Sequence, residues 1–85
     1  MEMSDEYLDQ VMKAASTVWA KGDKYTRYRG FTWGDLAPVL GLPMDSEHED
    51  VIKLNEALHL LAEKGRLTID RSAQPDRFKP KRTRR

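Results

Sequence analysis

Cysteine is absent from the 85 residues, so neither a disulfide framework nor a thiolate metal site is available. That fits a reducing compartment, and a cytoplasmic location is expected. No apolar run approaches the roughly 18 residues of a membrane span, and the acidic N-terminus lacks a signal peptide's basic-then-apolar layout. No membrane partner is expected. Glycine-rich phosphate loops and nucleophile motifs are missing too. His48 and His59 lie on one predicted helix, about 16 Å apart at 1.5 Å per residue, too far to share a metal ion. Asp45, Glu47, Glu49 and Asp50 lack the glycine and register of a calcium loop. The reading is a non-enzymatic chain with no catalytic residue, cofactor or metal.

What remains is one small domain whose net charge of +1 hides a segregation. Residues 1–20 carry −3 and residues 21–30 carry +3; residues 31–65 carry −5 and residues 66–85 carry +6. Blocks of this kind say more about partners than the total does.

The longest helix is expected over Ser46 to Gly65. Val51, Leu54, Leu58 and Leu61 recur at three- and four-residue steps, which lays them along one stripe. Ala57 and Ala62 widen it. Ser46 and Glu49 have capping-box spacing, and Lys64 followed by Gly65 suits a helix end. An earlier helix is expected from about Ser4 to Lys21, with Leu8, Val11, Met12, Ala15, Val18 and Trp19 on one face and Ser4 as its cap. Between these two, Thr32 and Asp35 can box the start of a short helix, second in chain order, that Gly41 stops, with Pro38 shortening or bending it.

The stretch Gly22 to Gly30 reads as a loop, with a short extended piece near Tyr25 to Arg29. Its alternation leaves two readings open. Tyr25 and Tyr28 could stack on bases while Lys24, Arg27 and Arg29 meet phosphates. Favoured over that, the tyrosines pack on the core edge with the cations solvated. Past Gly65, Arg66 to Asp70 and Arg77 to Lys79 read as strands joined by a polar turn, with Leu67, Ile69 and Phe78 inward. Pro80 closes the hairpin, and residues 81–85 form a basic tail with nothing to bury, disordered when free. The domain is thus residues 1–80, mainly α with a small antiparallel β-hairpin.

Two segments resemble the winged helix-turn-helix superfamily. Phe31-Thr32-Trp33-Gly34-Asp35-Leu36-Ala37-Pro38-Val39-Leu40-Gly41-Leu42 is similar to its second helix, and Ala57 to Ile69 to the close of its recognition helix and the first wing strand. The resemblance implies three helices plus a wing, and a small DNA-binding regulator of transcriptional or phage and plasmid type. The third helix opens with Ser46-Glu47-His48-Glu49-Asp50, whose acids repel phosphates, so it would serve packing more than base reading. The nucleic-acid contacts are then expected from Lys24, Tyr25, Arg27, Tyr28, Arg29, Arg71, Arg77, Lys79, Lys81, Arg82, Arg84 and Arg85. Duplex DNA is favoured over single strands or RNA. The alternative is a protein-interaction module, an inhibitor or adaptor, using Ile52, Glu56 and Leu60 on the outer face of the third helix, with a homodimer as one form.

Overall fold

A computed structural model of the chain describes residues 3–72 and 75–81, with the backbone alone for residues 25–27. The described chain is mainly helical with one two-stranded antiparallel hairpin: α1 (Asp5–Lys21), α2 (Lys24–Arg29), α3 (Trp33–Leu40), α4 (Glu49–Glu63), β1 (Leu67–Asp70) and β2 (Arg77–Pro80). Among the described residues no helix is long and apolar enough to cross a membrane.

The helices start and stop for local chemical reasons. At the front of α1 the Ser4 hydroxyl accepts from the Tyr7 amide at 3.1 Å, and Asp5 and Glu6 fill the first turn, where the helix dipole favours anions. For α3, the Thr32 amide donates to Asp35 Oδ2 at 3.0 Å. Gly41, in left-handed backbone, returns its amide to the Ala37 and Pro38 carbonyls. Pro38 is tolerated because α3 is only eight residues long and ends within a turn of it.

The front of α4 differs from the expectation. Its cap is His48, whose Nδ1 accepts from the Asp50 amide at 3.2 Å, and the helix begins at Glu49 rather than near Ser46. The cause lies one residue earlier. Asp45 accepts from the Glu47 amide at 3.0 Å through its side chain and from the His48 amide at 3.0 Å through its carbonyl, which folds Ser46 into a turn. Starting later, α4 has 15 residues and α1, with 17, is the longest helix.

The loop expected over Gly22 to Gly30 is also corrected. Residues Lys24–Arg29 are helical, so the described residues hold four helices where three are expected. Lysine and arginine are good helix formers, and Gly22 and Gly30 bound the segment in non-helical backbone. The extended backbone occurs just beyond it. Phe31 and Phe78 exchange amide-to-carbonyl bonds, both 2.8 Å, which ties the chain ahead of α3 to β2.

One core joins all of this. The stripe Val51, Leu54, Ala57, Leu58 and Leu61 is buried as its spacing requires, and its last four members share one cluster with Leu8, Val11, Ala14 and Ala15 of α1 and Leu36 of α3. Leu67 and Phe78 bring the hairpin's inner face to the same cluster. Phe31 and Phe78 are its largest fully buried side chains, with ring centroids 6.2 Å apart; Trp19 and Trp33 are only half-buried.

Candidate nucleic-acid interface

The hairpin register assigns its faces. Leu67 pairs with Pro80 and Ile69 with Phe78, so these side chains face the core; Thr68 pairs with Lys79 and Asp70 with Arg77 on the outer side. Pairing runs to Pro80, and the Lys81 amide still reaches the Arg66 carbonyl at 3.2 Å. The segment therefore holds its shape past the proline.

Helix α2 packs beside β2, and this brings together two basic blocks separated in sequence by residues 31–65. Lys79 Nζ lies 6.0 Å from the centroid of the Tyr28 ring, a cation–aromatic approach at the long end of the favourable range. Tyr28 is 77% exposed. Asp70 sits within reach of both the Arg29 and Lys79 charges. Its carboxyl is held below the usual aspartate range first by the Ser72 hydroxyl at 2.6 Å, then by the Ser72 amide at 3.0 Å; desolvation opposes them, and the Arg29 and Lys79 charges add lesser pulls downward.

Two contacts fix the hairpin relative to the helices. Arg77 Nη1 donates to the Gly30 carbonyl at 2.8 Å, so this arginine anchors the end of α2 to β2. His59 of α4 faces Asp76 Oδ2 at 3.0 Å through Nε2 and the Asn55 carbonyl at 2.8 Å through Nδ1, while its ring meets Phe78 edge-on at 5.4 Å. Neither contact is signalled in the sequence, since the partners lie 47 and 17 residues apart. Gly30 is the third feature that sequence reading missed. Its φ is +95°, and a Cβ there would lie 2.7 Å from the Phe78 carbonyl oxygen.

Of the residues expected at a nucleic acid, Tyr28, Arg29, Arg77 and Lys79 gather where α2 meets β2, with Lys24 exposed at the start of α2. Arg71 is exposed in the turn after β1, and Lys81 is exposed beyond β2. The side chains of Tyr25 and Arg27, and all of Arg82, Arg84 and Arg85, lie outside the described residues.

The outer face of α4 divides. Ile52 and Glu56 are exposed, whereas Leu60 is half-buried against the core. Tyr7 of α1 lies against this helix. Burial, and secondarily the Asp50 charge, push its hydroxyl above the ordinary tyrosine value. Among the described residues no group of three or more His, Cys, Asp or Glu could hold a metal ion. No protein family, curated protein or solved structure matches the chain.

Proposed function

We propose that this chain is a small DNA-binding protein of winged helix-turn-helix type, acting as a transcriptional or phage and plasmid-type regulator. Its contact surface is the outer face of the hairpin, the adjoining helix α2 and the basic segment that follows Lys81. The observation that carries this reading is the approach of Lys79 to Tyr28, with Arg29 close by. It joins the +3 block of residues 21–30 to the +6 block of residues 66–85 in one place. Clustered lysine and arginine around an exposed aromatic ring suit a phosphate backbone with a base or sugar stacked beside it.

The acidic start of α4 argues for this surface over the front of that helix. Glu49 and Asp50 occupy its first turn, and Asp45 and Glu47 precede it. Carboxylates placed against phosphates lose affinity, so the hairpin side is the face that approaches the duplex.

The test is a fluorescence-anisotropy titration of a random duplex with the full chain and with Arg29→Ala/Lys79→Ala. Each phosphate contact removed flattens the slope of log affinity against log salt by about 0.9. The double variant should bind more weakly and with a slope shallower by about 1 to 2. Unchanged affinity and slope in the variant would place the contact elsewhere.

A further inference from the structure

We propose that Tyr28 is a stacking platform for one unpaired base, so that the chain prefers duplex DNA carrying an unpaired nucleotide over fully paired duplex. The inference rests on the DNA reading above and names the form of DNA that this surface takes. It starts from a side chain that the core leaves out. Tyr28 is more exposed than Met44, Ile52 or Val39 and is absent from the core cluster, so the packing on the core edge expected for it does not occur. Its backbone is nonetheless held. Two residues on, the Gly30 carbonyl accepts from Arg77 Nη1 at 2.8 Å, and the Phe31 amide donates to the Phe78 carbonyl at 2.8 Å. Both bonds tie the end of α2 to β2, the strand that carries Lys79. The ring stands in water on a fixed support, which limits the ordering that binding must impose.

The charges beside it match a nucleotide rather than an apolar partner. Lys79 Nζ stands over the ring at 6.0 Å from its centroid, the outer limit of that attraction, so the ammonium is still available to an anion. Arg29 follows Tyr28 in sequence, and Lys24 lies one turn before it on the same side of α2. Asp70, the acid that Arg29 and Lys79 reach, is turned onto the Ser72 hydroxyl and amide and so engages its own turn. A nucleotide presents a flat π face and, one sugar away, a phosphate. An exposed ring with an ammonium beside it offers a partner to each.

Stacking decides the form of the DNA. Inside a paired duplex each base is covered on both faces by its neighbours, and the grooves expose only base edges. A tyrosine ring meets a base face only where a nucleotide is extruded, bulged or otherwise unpaired. Proteins that track long single strands stack successive bases on several aromatics. Among the described side chains this surface has one such ring, set amid cations suited to phosphates. That composition fits a single unpaired base in a strand that is otherwise paired.

Fluorescence anisotropy of the full chain on three duplexes of equal length, at about 50 mM salt, tests this. The first is fully paired, the second carries a central unpaired adenine, and the third has an abasic residue in that place. The third keeps the extra phosphate of the bulge and lacks only its base. The expected result is binding about 5- to 100-fold tighter to the adenine bulge than to either other duplex, the range for one base stacked on an aromatic ring. Tyr28→Ala should abolish that preference, and Tyr28→Trp should retain it. Arg29→Ala/Lys79→Ala should weaken binding to all three. Equal wild-type affinity for the paired and bulged duplexes overturns the inference while leaving the DNA reading in place. So does a preference that the abasic duplex shares or that Tyr28→Ala keeps. Absence of binding to all three duplexes would defeat the DNA reading and this inference with it.

Discussion

Gly30→Ala should be among the most damaging single-methyl additions in the chain. Gly30 has φ +95°, a region that costs an L-residue about 1–2 kcal/mol. The new Cβ would stand 2.7 Å from the Phe78 carbonyl oxygen, which accepts from the Phe31 amide at 2.8 Å and cannot retreat without stretching that bond. Overpacking of this kind costs about 1–3 kcal/mol, so the total is about 2–5 kcal/mol. Gly34→Ala is the control. Gly34 has no positive φ, its Cβ would meet the far end of the exposed Met44 side chain at 3.3 Å and Thr32 Oγ1 at an ordinary 3.5 Å, and it lies inside α3. There alanine should be neutral or stabilising by up to about 1 kcal/mol. Urea denaturation followed by circular dichroism reads both. With a urea slope of about 2 kcal/mol per molar, the Gly30 variant's midpoint should fall by about 1–2.5 M while the Gly34 variant's does not. A loss under about 0.5 kcal/mol at Gly30 would refute the reasoning about the Phe31–Phe78 junction.

Leu58→Ala, in the centre of the α4 stripe, should cost about 2–5 kcal/mol in the same denaturation assay, because the site is closed on all sides. Ser72→Ala should move the Asp70 titration up toward the ordinary aspartate value in a carboxyl NMR titration. With a lowered native pKa, the Asp70 contribution to stability is present above the unfolded value and is lost as pH falls through the native one. The wild-type chain should therefore lose that increment on acidification, and the Ser72 variant should lose less, keeping the part that the residue-72 amide, Arg29 and Lys79 supply. His59→Ala removes the contacts to Asp76 and Asn55, so amide exchange in β2 should quicken relative to α1; equal protection in both would mean the hairpin is held by Phe78 burial alone.

Much of the fold was legible because it rests on local signals. The α4 stripe follows the helical period, the caps at Ser4 and Thr32 follow from side-chain reach, and Gly65 and the Arg66–Asp70 alternation mark the step into the hairpin. What escaped the sequence depends on competition or distance. Six residues of α2 make under two turns and carry no apolar stripe to recognise. At the front of α4, Ser46 had the right residue type and spacing for a cap, yet Asp45 claimed the Glu47 and His48 amides first. Arg77 reads as one more cation until Gly30 lies beside it, and His59 as a solitary histidine until Asp76 does. The candidate surface shares that mixture. Its charge blocks are visible in the sequence, whereas their meeting at Tyr28 and Lys79 depends on the Phe31–Phe78 pairing.

The central claim is that cations from α2, β2 and the basic tail act on one polyanion. Its most direct test is the affinity of the full chain for random duplex DNA measured across a salt series. With about four to six phosphates contacted, log affinity should fall against log salt with a slope between about −3.5 and −5.5. No measurable duplex binding at about 50 mM salt, or a slope near zero, would contradict the account.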